Sequence, residues 1–302
     1  MKIFVTGGTG FVGKFVTRRL SEAGHEILVL SRSASKAKQI LPWAEVIEGN
    51  PQNAGDWQRR VPECDGAINL AGTSIFTLWT ESARKSILDS RILTTRNLVD
   101  ALSAPGKQRV LVNGSAVGYY GSRLDDEVLG EEAPAGSEFM SEVCLRWEEE
   151  ARRATDAGVR VALCRFGIVL GKNGGALSMM VPAFRFLLGG ALGSGRQWMS
   201  WIHIEDLFEI FSFLLGEPAL SGPINCTAPN PVRNAEFAKV LSQTLNRPIL
   251  LPGMPSFLLN MALGEFANVV VKGQRVIPKT LLESGFSFRF PTLRQALEDL
   301  IG

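Results

Sequence analysis

Tyrosine and histidine are scarce in this 302-residue chain. There are two tyrosines, adjacent at Tyr119 and Tyr120, and two histidines, His25 and His203. The four cysteines, Cys64, Cys144, Cys164 and Cys226, form no C-x-x-C pair and no cluster with histidine. That spacing argues against structural zinc, so no metal site is expected. With no export pattern at the N-terminus, the thiols read as reduced groups of a cytoplasmic protein. No apolar run reaches the roughly 18 residues of a spanning helix, so membrane insertion is not expected. An excess of one charge is lacking too: 32 Lys and Arg face 30 Asp and Glu, a net +2. A nucleic-acid binder carries a much more basic footprint, so no nucleic-acid partner is expected.

What is present is an ordinary globular composition, 45% hydrophobic and 21% charged. Such a chain buries a core without disulfides or metal. Short apolar runs alternate with helical patterns through the first half. Strands are expected at Lys2–Thr6, Glu26–Leu30, Ala44–Glu48, Gly66–Leu70, Arg109–Asn113 and Arg160–Phe166. Helices are expected at Phe11–Ala23, from about Glu81 to Leu102, and at Phe139–Ala157 with Gly158 as C-cap. Alternating strands and helices imply right-handed crossovers, hence an α/β fold with a doubly wound parallel sheet. After Gly167 glycine-rich loops surround shorter helices, which reads as a smaller C-terminal, substrate-side region. The expected division is 1–217 for the nucleotide-binding domain, with substrate-side segments from about 167, and 218–302 for the C-terminal region.

The strongest local signal is Val5-Thr6-Gly7-Gly8-Thr9-Gly10-Phe11-Val12-Gly13, between the first strand and the first helix. Glycines 8, 10 and 13 fit G-x-G-x-x-G, and glycines 7, 10 and 13 fit G-x-x-G-x-x-G. One glycine makes the tight turn, one admits a pyrophosphate to the backbone, and one lets helix and strand pack closely. The helix N-terminus then offers free N–H groups to the phosphates. Gly7, Thr9, Gly10, Phe11, Val12 and Gly13 are therefore candidate cofactor residues. The second strand ends in Ser31-Arg32-Ser33, and no acid lies between Ile27 and Trp43. An NAD-preferring fold places a carboxylate near here for the ribose hydroxyls. Arginine instead offers a planar fork for the 2′-phosphate, so NADP is the expected cofactor.

These residues resemble the extended short-chain dehydrogenases, the superfamily of NAD-dependent epimerases and dehydratases. Asn69-Leu70-Ala71-Gly72 resembles their fourth-strand element, and Asn113-Gly114-Ser115-Ala116 with Tyr120-Gly121 the end of their fifth. Arg165–Gly171 and Trp201–Asp206 match two later elements. An atypical subgroup is more similar still, at Trp79, at Ser90-Arg91-Ile92 with Thr95, and at Gly118-Tyr119-Tyr120-Gly121. It shares a C-terminal domain of unknown function, DUF1731, seen here in Gly273–Pro278, Ser284–Phe288, Pro291-Thr292-Leu293 and Ala296-Leu297, within about 250–300. The resemblance implies a Rossmann-type fold with Leu70, Ala71, Gly72, Asn113, Gly114 and Arg165 beside the cofactor. For Arg165 the residues also admit a plain strand-end ion pair.

The chain departs from that pattern in two places. Relatives pair Ser or Thr with Y-x-x-x-K, and Ser115 fills the first role. The helix start reads Phe139-Met140-Ser141-Glu142-Val143-Cys144, so tyrosine is replaced by Phe139 or Met140 and lysine by Val143 or Cys144. The catalytic candidates that remain are Ser115, Tyr119 and Tyr120, with Glu138 and Glu142 as outside carboxylates. Secondly, where nucleotide-sugar members carry an arginine facing the substrate diphosphate, this chain has Met199, flanked by Arg196 and Trp198. That argues for a more apolar small-molecule ligand. His203 and Cys164 read as structural, and the acid-rich stretch from Asp125 to Glu138 as a solvated loop. Two functional readings follow. One is an NADP(H)-binding oxidoreductase reducing a small carbonyl compound. The other is an inactive NADPH sensor acting through a protein partner, for which the resemblance offers division control.

Overall fold

The computed structural model describes residues 1–104, 109–123, 125–250 and 253–302. Seven strands form its central sheet: β1 Lys2–Thr6, β2 Glu26–Ser31, β3 Glu45–Glu48, β4 Gly66–Asn69, β5 Val110–Ala116, β6 Arg160–Phe166 and β7 Gly222–Cys226. All pair in parallel, in the order β3-β2-β1-β4-β5-β6-β7. Successive side chains on a strand point to opposite faces. On β1, Ile3 and Val5 therefore enter one apolar cluster and Phe4 the other.

The helices α1 Phe11–Glu22, α2 Ala34–Ile40, α3 Glu81–Leu102, α4 Phe139–Arg152, α5 Gly175–Arg185, α6 Ile204–Gly216 and α7 Asn234–Thr244 follow in chain order. Val16 and Leu20 of α1 pack with Phe208, Phe211 and Leu214 of α6 on the first face. Leu98 and Leu102 of α3 pack with Ala151 of α4 on the second. Burying each such side chain stabilises the fold by about 1.5–3 kcal/mol. The strand order reverses between β1 and β4. In doubly wound sheets that switch point opens a crevice at the carboxyl ends of the strands.

Three boundaries differ from the sequence reading by more than a residue, and the first is that β5, expected to end at Asn113, runs to Ala116. The expected helix Phe139–Ala157 is α-helical only to Arg152, then tightens into a 3₁₀ turn, Arg153–Ala157, closed by Gly158 at φ 75°. The sheet also runs past residue 217. Gly222–Cys226, placed by sequence in the C-terminal region, pairs with β6 as its edge strand.

The C-terminal region has its own apolar cluster, with Leu170, Met199, Trp201, Phe237 and Leu297 among its members. One buried and one half-buried carboxylate fasten it to the sheet. Asp206 of α6 accepts the backbone N–H groups of Arg289 at 2.8 Å and Phe290 at 3.0 Å. Glu131 accepts those of Asn225 at 2.9 Å and Thr280 at 3.2 Å. Burial raises the pKa of both acids, and the N–H donors oppose that rise. The acid-rich stretch is largely solvated, as expected: Asp125, Asp126, Glu127, Glu132 and Glu138 are exposed, and Glu131 is half-buried. Two of its exposed acids reach later segments: Trp198 donates to Asp126 at 2.9 Å and Lys279 to Glu132 at 3.2 Å. Among the described residues no helix is long and apolar enough to cross a membrane.

Candidate cofactor cleft and active site

The glycine loop turns at Gly7, whose φ of 71° suits glycine and whose Cβ would lie 2.5 Å from the Leu70 carbonyl carbon. Gly13 brings α1 onto the loop, since a Cβ there would lie 2.8 Å from the Gly8 Cα. Gly10 is the N-cap of α1. No side chain caps that end, and its first turn holds no acid. Thr9 and Gly10 are exposed beside it. An uncapped helix start with an open backbone approach fits a pyrophosphate. Phe11 turns away from this opening: a Cβ on Gly171 or Gly175 would lie 2.8 Å from its ring. Its ring thus packs the loop after β6 against the glycine loop, while Val12 packs against the first core cluster.

At the end of β2, the Ser33 N–H donates to Ser31 Oγ at 3.3 Å and Arg32 is exposed. Sequence reasoning missed an acid here. Glu48 pairs in register with Ser31, and its Oε2 accepts the Ala34 N–H at 3.0 Å, at the start of α2. It comes from β3, so only strand pairing reveals it.

The floor of the cleft is a buried polar ladder. Thr6 Oγ1 donates to Asn69 Oδ1 at 2.6 Å, and Asn69 Nδ2 donates to Asn113 Oδ1 at 2.7 Å and Thr95 Oγ1 at 2.8 Å. Trp147 Nε1 donates to the same Thr95 oxygen at 2.9 Å. The side chain of Asn113 is thereby spent on holding β4 and β5 together. Gly114 is buried under Trp147, whose ring would meet a Cβ there at 3.2 Å. Leu70 and Ala71 are half-buried and Gly72 is exposed, leading away from the glycine loop.

Beyond the floor lies a network that sequence reasoning did not find as a unit. Ser115 Oγ donates to Glu148 Oε1 at 2.8 Å. Arg165 grips the same carboxylate bidentately, Nε to Oε1 at 2.8 Å and Nη2 to Oε2 at 2.9 Å. Its Nη1 donates to the Tyr120 hydroxyl at 2.9 Å, which donates to Asn225 Oδ1 at 2.7 Å. Arg165 is 1% exposed and Glu148 0%. Burial pulls the Arg165 pKa down, but the Glu148 bonds and charge raise it further, so it stays charged. Burial pushes the Tyr120 phenol up to about 12 against the opposing pull of Arg165. Arg165 is thus committed to an ion pair, and both Tyr120 and Ser115 have their hydroxyl protons engaged. Glu148 shares a helical stripe with Cys144, Trp147 and Ala151. A carboxylate on an apolar stripe was the signal that could have found it.

Tyr119 is placed differently. It is half-buried, its ring stacked 3.5 Å from the Arg165 guanidinium carbon, and its hydroxyl bonds to none of the described residues. At the Y-x-x-x-K register, Phe139 stacks edge-on against Trp79 at 5.2 Å, and Val143 and Cys144 are buried. Burial pushes the Cys144 thiol up to about 11, so it is neutral. Glu138 accepts from Ser122 at 2.8 Å, Glu142 pairs with Arg146 at 3.5 Å, and both are exposed.

Met199 is not offered to a ligand. It is 9% exposed, packed in the C-terminal core, with Asn234 Nδ2 at 3.2 Å from its sulfur. Trp198 is stacked between Arg233 at 4.0 Å and Arg275 at 4.6 Å, and Arg196 is exposed. The apolar-ligand argument from Trp198 and Met199 therefore lacks a structural basis. All four cysteines are buried and unbridged, Cys164 in the first core cluster. Among the described residues no three His, Cys, Asp or Glu side chains converge as metal ligands.

His203 caps α6: its Nδ1 accepts the Glu205 N–H at 3.1 Å, and its ring lies 3.9 Å from that of Phe290. Burial pushes its pKa down to about 4, although Asp299, 3.4 Å from Nε2, pulls the other way. The unfolded imidazole titrates near 6.5, so below that pH the unfolded state binds the extra proton. Stability from this group is complete above about pH 6.5 and is lost as pH falls toward 4. The loss expected by about pH 4.5 is roughly 2–3 kcal/mol. Denaturant unfolding of wild type and His203→Gln across this range tests it. The variant should lack that component, and parallel profiles would refute the assignment.

The family model for the NAD dependent epimerase/dehydratase family matches residues 3–226, the glycine loop and all seven strands of the sheet. The chain belongs to that family. A second model, Domain of unknown function (DUF1731), matches residues 254–300. Among its relatives, the Arabidopsis thaliana "Epimerase family protein SDR39U1 homolog, chloroplastic" is 43% identical, over 100% of this chain and 87% of that protein. The Bacillus subtilis epimerase family protein YfhF is 40% identical, over 100% and 98%. The human epimerase family protein SDR39U1 (isoform 2), solved with NADPH, superposes with a TM-score of 0.88 at 34% identity, covering 100% of this chain and 99% of that one. MoeE5, solved with UDP-glucose and NAD, superposes at 0.79 with 19% identity, covering 100% and 97%, a likeness of fold alone.

Proposed function

We propose that this epimerase-family member binds NADP(H) and reduces a small carbonyl compound in the cytoplasm. The observation that carries the reading is the uncapped, acid-free start of α1 facing exposed Thr9 and Gly10, with Arg32 exposed at the end of β2. The glycine loop would hold the pyrophosphate and Arg32, flanked by Ser31 and Ser33, the 2′-phosphate. NADPH in the human relative supports the same choice. A bound nicotinamide would supply the hydride for the carbonyl carbon and be oxidised in doing so. The π pair of the C=O bond moves to oxygen, and Tyr119, whose hydroxyl is uncommitted, donates the proton that completes the alcohol. A second reading, an NADPH sensor acting on a protein partner, is favoured by one observation: Ser115 and Tyr120 have their hydroxyl protons tied into a buried network.

Dissociation constants for NADPH and NADH test the cofactor assignment. Charge-assisted bonds to the 2′-phosphate are worth about 1.5–3 kcal/mol, so NADPH should bind roughly ten- to a hundredfold more tightly. Arg32→Ala should remove most of that preference and leave NADH binding nearly unchanged. Glu48→Gln should strengthen NADPH binding, by roughly two- to fivefold for an exposed charge. Equal wild-type constants for the two cofactors would sink the assignment.

A further inference from the structure

Helices α3 and α4 both begin at the carboxyl edge of the sheet, and their outer ends carry an aromatic cluster. Trp79 packs against Phe139 at 5.2 Å and Phe266 at 6.0 Å, and Phe76, 57% exposed, packs against Phe266 at 5.3 Å. Arg84 stacks on Trp79 and Phe139, but its charge is paired with Glu265. Arg91, two turns further along α3 and roughly 10 Å deeper, is different. Among the described residues no carboxylate pairs with it. The thiol facing it, Cys144, is neutral.

The guanidinium lies 5.2 Å from the Trp147 ring and against Gly72, where a Cβ would meet its Cζ at 3.0 Å and its Nη2 at 3.1 Å. Nη1 is satisfied, donating to the Thr73 carbonyl at 3.1 Å and the Ile87 carbonyl at 3.0 Å. The other edge of the fork, Nε and Nη2, bonds to no described group and is not sealed from solvent. That edge has the geometry that grips a carboxylate with two parallel bonds. Arg165, by contrast, turns the same edge, Nε and Nη2, onto the Glu148 carboxylate at 2.8 and 2.9 Å. Glycine at position 72 leaves room for the guanidinium itself, since a Cβ there would lie within 3.0–3.2 Å of Cζ and both terminal nitrogens.

We propose that Arg91 is a carboxylate-binding residue of the active site, and that the substrate is an apolar oxo acid whose hydrocarbon body lies against Trp79 and Phe139. The inference rests on the carbonyl-reduction reading and names its substrate class. The rival source of the anion is a phosphate of the cofactor, which shares the same chemistry.

Phenylpyruvate and phenylacetone share the benzyl group and the ketone and differ in the carboxylate. Their binding to the full-length, NADP⁺-loaded protein, followed by calorimetry, separates the possibilities. Phenylpyruvate should bind more tightly by at least about tenfold. Arg91→Gln should abolish that difference, Arg91→Lys should keep part of it, and NADPH affinity should stay within about twofold. An unchanged melting temperature in Arg91→Gln shows that the loss is not unfolding, and Arg91→Lys serves in its place if that variant is unstable. Equal binding of the two ketones, or an undiminished difference in Arg91→Gln, overturns the proposal. So does a loss of NADPH affinity of about tenfold or more with the ketone preference intact, which assigns the anion to the cofactor. Binding of phenylpyruvate without reduction upholds the carboxylate site and counts against the reductase reading alone.

Discussion

Replacing Glu148 by alanine is expected to cost about 3–5 kcal/mol of folding stability, the range for removing one partner of a buried ion pair. Glu148 is 0% exposed and neutralises Arg165, itself 1% exposed. It also accepts from Ser115 at 2.8 Å and from Arg152 at 2.9 Å. Alanine would leave the Arg165 charge with the Tyr120 hydroxyl and the Glu131 carbonyl, at 2.9 and 3.1 Å, and the Tyr119 ring face at 3.5 Å, and these do not replace a carboxylate. Glu148→Gln keeps an acceptor and should cost less. The comparison is Glu142→Ala, whose ion pair with Arg146 is exposed and should be worth no more than about 1 kcal/mol. Denaturant unfolding of the three variants measures the contrast. Similar small losses in Glu148→Ala and Glu142→Ala would show that the network does not hold the site.

Tyr119→Phe should lower the rate of carbonyl reduction by about 10²–10⁴-fold, the usual effect of losing a positioned general acid. NADPH affinity should change little. Tyr119 is singled out because its neighbour is spoken for. The Tyr120 hydroxyl is buried between Arg165 and Asn225, with its pKa pushed up to about 12. Tyr120→Phe should therefore act through stability, by unpairing Asn225 and one Arg165 donor, more than through the chemical step. A rate unaffected by Tyr119→Phe would move the proton to water or to a carboxylate such as Glu138.

The parallel sheet was legible because each strand is a short apolar run bounded by glycine or polar residues, and the glycine loop sits between a strand and a helix. The edge strand Gly222–Cys226 was not, because it follows a long helix and carries Pro223 and Asn225 among its five residues. The site was legible in its parts and not in its connections. Ser115, Tyr120 and Arg165 were each visible from local motifs. Glu148, which joins Ser115 and Arg165, lies 33 and 17 positions away from them. Glu48 was invisible for the same reason, since only the pairing of β2 with β3 brings it to Ser31. Met199 misled because its motif position suggested a ligand wall, whereas the short strand that bears it, Trp198–Met199, faces Val232–Arg233 and turns the side chain into the C-terminal core.

The most direct test of the account is single-turnover oxidation of bound NADPH. Protein loaded with one equivalent of NADPH is mixed with carbonyl compounds, apolar oxo acids among them, and the nicotinamide absorbance is followed. At least one carbonyl compound should discharge the bound cofactor and appear as the alcohol, with the rate falling in Tyr119→Phe. If NADPH binds tightly and no carbonyl compound oxidises it, the reductase reading is contradicted and the chain is a nucleotide-binding sensor.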